Sequence, residues 1–130
     1  MLGFEKRGKK IIELSWNHGI YFDAWSFVHI LTGSMLAVLF IILGLSLVTG
    51  LIICFILMIL YEGLKILKGI AEDLENLITD VVVGLLGFFF TYKIFIDQSL
   101  SNQWIFLVLF LLINAMLLYI GYEKYLKKRL

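Results

Sequence analysis

The chain has 130 residues, 62% of them hydrophobic, no proline and a mean hydropathy of +0.99. Soluble domains hold roughly 45–50% apolar residues, so this excess excludes an ordinary globular core and points to membrane spans. A formal net charge of +1 from eleven basic and ten acidic side chains leaves no basic excess, and nucleic acid is not an indicated partner.

Residues 1–24 are expected to form a cytoplasmic and interfacial segment. Lys6, Arg7, Lys9 and Lys10 come first, and 11–23 (IIELSWNHGIYFD) then mixes aromatic with polar groups, as interfacial segments do. A secretory signal has an apolar region of about 7–15 residues just after a basic start. Here a full-length apolar run begins only after residue 24, so the helix is expected to be retained.

Four apolar runs follow, at 25–44, 47–64, 77–96 and 104–121. Each approaches the ~20 residues that a helix rising 1.5 Å per residue needs to cross a ~30 Å hydrocarbon layer. A soluble bundle would need polar faces of period 3.6, and the last run has almost none. The predicted helices are 25–44, 47–68, 74–96 and 104–126. The expected fold is all-α: a polytopic membrane protein with an antiparallel four-transmembrane-helix bundle, forming a single domain over 1–130. Short links, near Leu45–Ser46 and Asp97–Gln103, predict that helices adjacent in sequence are packing partners.

Lys65 and Lys68 lie between the second and third spans, and Lys124, Lys127, Lys128 and Arg129 follow the fourth. Basic residues collect on the cytoplasmic side of short loops. Both termini and the second connection are therefore expected in the cytoplasm, with the protein in the cell (plasma or inner) membrane. Lys93 then snorkels to the opposite interface. The basic ends suit membrane lipids with anionic headgroups; a homo-oligomer or a partner membrane protein is compatible with the pattern.

Ionisable groups inside spans are rare, because each costs from ~2.5 kcal/mol upward near the bilayer centre. Here they are His29 in the first span, Glu62 in the second and Asp80 in the third, with Glu72, Asp73 and Asn76 just ahead of Asp80. Counted from the helix ends, the three fall at one depth, about 6 Å inside the cytoplasmic face. Asp73, Asn76, Asp80, Gly84 and Gly87 share one helical stripe, and His29 shares another with Gly33 and Ala37. The polar faces are thus also the faces where small residues let helices approach. Blander readings stand beside this one. Glu72, Asp73 and Glu75 fit a solvated loop face served by Lys65 and Lys68. Glu62 with Lys65 fits an interfacial ion pair, and a lone His29 is often satisfied by a backbone carbonyl. Cys54, a single mid-span thiol, reads as packing, and Asn114, alone in the fourth span, as glue between helices.

The arrangement Asp23, Trp25, Ser26, His29, Gly33, then Tyr61–Glu62, then Glu72, Asn76, Asp80, Gly87–Phe88 resembles small bacterial integral membrane proteins of the VanZ-like and YjdF-like families. These pair a histidine element in an early helix with a glutamate ending the next and an acidic element leading to glycine in the third. The resemblance covers residues 21–90. It departs at one point: VanZ-like proteins tend to carry an arginine ahead of the acidic element, and this chain has none between Arg7 and Arg129. The resemblance implies a polytopic bundle with a polar site and no defined reaction.

Three functions are compatible with such a site. His29, Glu62 and Asp80 are candidate ligands for a divalent cation, with Glu72, Asp73 and Asn76 as further binding residues, facing a lipid or phosphorylated headgroup. In a catalytic version His29 is a general base held by Asp80. The alternatives are a proton or cation relay in a small oligomeric transporter and a non-catalytic accessory or scaffold subunit. The topology has its own test. Epitope tags at either end should resist protease added outside intact cells and be cut only after the membrane is opened; cutting from outside would reverse the orientation.

Overall fold

The structure, a computed structural model, describes residues 5–6, 9–10, 24–67 and 74–129, with the side chains of 24–67 and 74–124. A two-residue antiparallel pairing of β1 (Glu5–Lys6) with β2 (Lys9–Lys10) precedes four helices: α1 (Ala24–Ile42), α2 (Leu47–Leu67), α3 (Leu74–Phe95) and α4 (Leu100–Arg129). All four helices are long and apolar enough to cross a membrane. The protein is an all-α four-helix bundle of the multi-pass membrane class. The expected interfacial segment over 11–23, and Glu72 and Asp73, lie outside the described residues.

Local chemistry sets the helix ends. Gly44 adopts φ 81°, a left-handed conformation that glycine enters without a Cβ clash. The Leu45 amide then bonds the Phe40 carbonyl at 2.9 Å and the Gly44 amide bonds that of Ile41 at 3.0 Å. This pair of bonds is a Schellman termination, and it stops α1 two residues before the expected boundary. Ser46 caps the next helix, its Oγ accepting the Thr49 amide at 3.3 Å. Ser99 does the same for α4 by accepting the Asn102 amide at 3.2 Å. That cap explains why α4 begins at Leu100, ahead of the apolar run at 104. At 30 residues, α4 extends about 45 Å, longer than the hydrocarbon layer.

The packing order departs from the expectation drawn from short links. The principal partner of α1 is α3, which runs parallel to it, followed by α4; α2 leans on α3 and touches α1 less. Small residues decide this. A Cβ at Gly33 would run into the carbonyl of Gly84, and one at Gly87 would run into the backbone of Ile30. With Ala37 fully buried four residues after Gly33, α1 presents the small-xxx-small face that lets membrane helices touch backbone to backbone. Ser34 and Thr91 seal the same seam: Thr91 Oγ1 donates to Ser34 Oγ at 2.7 Å, and Ser34 Oγ to the Gly87 carbonyl at 3.4 Å.

Beyond the glycine contact the core is apolar, with Ala37, Phe40, Cys54, Met58, Val81, Phe88 and Tyr92 packed together. Phe88 lies between the rings of Phe40 and Tyr92, with centroids 5.8 and 6.0 Å away. Cys54 is fully buried here, as a packing residue should be. The Tyr92 hydroxyl donates to the Leu45 carbonyl at 2.7 Å, tying α3 to the α1–α2 turn. Outward faces of α2 and α4 carry exposed Leu, Ile, Val and Phe, the surface that lipid tails solvate. Only α1 is half enclosed by the protein.

Gly33→Ala should therefore lower the thermal midpoint in detergent, by about 1–3 kcal/mol of overpacking. Gly63→Ala, where an added Cβ meets nothing, should leave the midpoint unchanged or raise it. Equal responses from the two variants would remove Gly33–Gly84 as the organising contact.

Candidate functional site

The parallel pairing of α1 with α3 places their first turns side by side, and α2 returns to the same end of the bundle. His29, one turn ahead of Gly33, consequently meets Asp80, one turn ahead of Gly84. Their closest atoms, His29 Nε2 and Asp80 Oδ2, are 3.2 Å apart. Glu62, near the end of α2, brings Oε1 to 3.7 Å from the same ring nitrogen. Lys65 follows one turn later, with Nζ 2.9 Å from Glu62 Oε2 and 3.9 Å from Asp80 Oδ2. Ser26, one turn before His29, donates its hydroxyl to Asp80 Oδ1 at 3.3 Å.

The cluster is dry. Asp80 and Ser26 are fully buried, Glu62 is 2% exposed, and His29 and Lys65 are 7% exposed each. Charges at this depth are tolerable only when paired, since isolated ions in an apolar medium cost several kcal/mol. Tyr61 helps exclude solvent and lipid. Its ring stands edge-on to His29 at 5.8 Å and lies under the Lys65 ammonium at 5.3 Å.

Each carboxylate has a division of labour. The outer oxygen of Asp80 is held by Ser26 and the outer oxygen of Glu62 by Lys65. The inner oxygen of each turns toward His29 Nε2. His29, Glu62 and Asp80 each offer one ligand atom, and the three atoms lie within 4.8 Å of one another. A metal with ~2.1 Å bonds holds its ligands about 3.0–3.4 Å apart; the His29–Asp80 separation of 3.2 Å falls in that range, and the His29–Glu62 separation of 3.7 Å is somewhat wider. Ser26 and Lys65 then stand where outer partners that orient ligating carboxylates normally stand. The arrangement also suits a proton on Nε2, shared between two carboxylates.

Of the sequence candidates, the structure gathers His29, Glu62 and Asp80 into one constellation. Asn76 is fully buried one turn before Asp80, while Glu72 and Asp73 fall outside the described residues. Two contributors were missed. Ser26 stood in the sequence only as part of the Asp23, Trp25, Ser26, His29 arrangement, with no role attached to it. Lys65 read as the partner of Glu62 at an interface, and its reach to Asp80 depends on where α3 sits. Asn114 does connect helices: its Nδ2 donates to Thr32 Oγ1 at 2.9 Å. Comparison with protein-family models, curated proteins and solved structures finds no match.

Lys65→Met would leave two buried carboxylates without their ammonium. It should cost about 3–5 kcal/mol of stability, as breaking buried ion pairs does. Glu62→Gln combined with Lys65→Met should recover a large part of that loss. A strictly additive double variant in detergent melts would show the pair uncoupled.

Proposed function

We propose that this integral membrane protein holds a divalent cation between His29, Glu62 and Asp80 and uses it to bind the anionic headgroup of a membrane lipid. The observation carrying this reading is the convergence of one imidazole and two carboxylates from three helices, each carboxylate with its outer oxygen already held. Imidazole with carboxylate ligands suits divalent transition metals such as manganese or zinc.

Charge balance favours the pairing of cation and anion. With His29 neutral, Glu62 and Asp80 against Lys65 leave one negative charge among the described residues of the cluster, which repels a phosphate. A divalent cation turns that into one positive charge, which attracts a phosphate monoanion. In a low-dielectric site such a difference is worth far more than at a hydrated surface. The bound cation would present an open coordination position to a phosphate oxygen. His29 Nε2 would act as ligand in this state, with the ring proton on Nδ1.

Basic residues at both chain ends and around Lys65 argue that the cluster lies beneath the cytoplasmic leaflet, at the depth of headgroups and glycerol backbones. The resemblance to VanZ-like and YjdF-like proteins agrees with a polar site built from these same elements.

Purified protein should take up one Mn²⁺ per chain, measured by electron paramagnetic resonance. His29→Ala, Glu62→Gln and Asp80→Asn should each abolish uptake while retaining helicity. Phosphatidate should then bind more tightly with Mn²⁺ than with chelator. Wild-type protein without Mn²⁺ uptake, and phosphatidate binding indifferent to metal and to all three variants, would overturn the reading.

A further inference from the structure

Beside the ionic cluster, α1, α2 and α4 leave a cleft of about 270 Å³. His29, shared with the ionic cluster, lines one end, and the walls are mostly apolar, with Leu36, Leu57, Met58 and Leu118 among them. Asn114 also lines it, at 5% exposure. The orientation of this amide is fixed by a hydroxyl. Thr32 Oγ1 donates its only proton to the Val28 carbonyl at 2.8 Å, so it can only accept from Asn114, which must offer Nδ2. Asn114 Oδ1 is therefore left as the free acceptor, and it is buried without a donor among the described residues. A buried carbonyl oxygen in this condition keeps its desolvation cost unrepaid and calls for a donor from outside the described residues.

We propose that the cleft receives a single-chain lysophospholipid, its phosphate at the His29–Glu62–Asp80 cation site and its free glycerol hydroxyl donating to Asn114 Oδ1. The proposal rests on the headgroup reading above and deepens it to one class of lipid. Three features carry it. Asn114 engages α1 at Thr32, three residues past His29, or about 4.5 Å further along the helix. A glycerol backbone sets a hydroxyl on the carbon next to the one bearing phosphate, so one headgroup offers both a phosphate and a neighbouring donor. Second, the ligand must donate at that point. A diacyl lipid carries an ester there, whose oxygens only accept and would face Asn114 Oδ1 oxygen to oxygen. Third, the cleft holds only about nine water volumes at ~30 Å³ each. That is room for the first part of one chain, which continues past Leu36 and Leu57 into the bilayer.

Across the cluster end of the cleft, the Tyr61 and Tyr122 hydroxyls stand 3.5 Å apart, and Trp25 meets Tyr122 edge-on at 5.4 Å. These rings join α2 to α4 above the cleft, so the chain enters sideways from the membrane.

Native mass spectrometry of the full chain in detergent with Mn²⁺ tests this, using 1-oleoyl lysophosphatidate, its 2-deoxy analogue and dioleoyl phosphatidate. Wild type should retain lysophosphatidate about three- to tenfold better than the deoxy analogue, the worth of one net hydrogen bond. Asn114→Leu should erase that preference. Leu118→Trp, which fills the cleft without touching the Thr32 bond, should weaken lysophosphatidate retention about tenfold or more while the thermal midpoint holds. Equal retention of the hydroxyl and deoxy lipids by wild type would overturn the inference, leaving water as the donor. So would a preference that survives Asn114→Leu, or retention unaffected by Leu118→Trp. Metal dependence is read separately. If phosphatidate binds with Mn²⁺ and not with chelator while the hydroxyl is ignored, only this inference fails. If no lipid responds to Mn²⁺, the cation reading itself fails.

Discussion

Contact between the backbones of α1 and α3 is the constraint on which the other features of this protein depend. Helices separated by ordinary side chains pack with axes about 8–10 Å apart. At Gly33 and Gly84 no side chains intervene, and the two rods meet at main-chain distance. One turn from that point, short polar side chains on both rods come within ion-pair reach. A wider spacing would leave Asp80 facing apolar groups, where a carboxylate must either find a partner or give up its charge. The glycine seam and the ionic cluster are therefore parts of one design: the seam sets the distance, and the cluster uses it.

Burial shapes the chemistry that follows. Ser26 and Lys65 each satisfy one oxygen of a carboxylate and so fix the direction of the other. Replacing such a network with apolar residues would often be neutral or stabilising, so its presence asks for a reason other than stability. The proposed cation site would provide one, because ligands must be held in place before an ion arrives. The adjoining cleft reaches the same imidazole.

Much of the architecture was legible in the residues. Span length and hydropathy gave four helices, and counting along them placed His29, Glu62 and Asp80 at one level. The shared stripes with Gly33, Ala37 and Gly84 gave the contact face. Other features needed coordinates because they arise between elements. Short links suggested that helices adjacent in sequence are packing partners, yet backbone contact at glycine makes α3 the principal partner of α1. The start of α4 was hidden because a serine cap at Ser99 extends the helix through Asn102 and Gln103, which add no hydropathy. The reach of Ser26 and Lys65 to Asp80 was invisible for the same reason, since both contacts cross from one helix to another. Asn114 read correctly as a link between helices, while its vacant carbonyl follows from where Thr32 sends its proton.

The turn between α1 and α2 has a mechanical consequence. It is fastened twice, by the glycine-terminated helix end and by the Tyr92 hydroxyl on Leu45. A rod clamped at one corner swings most at its far tip. Relative to α1, displacement of α2 grows along its 21 residues, so Glu62 and Lys65 ride near the end of a lever about 30 Å long. The ionic contacts act at that tip, where a given force has the greatest turning effect in holding the rods shut.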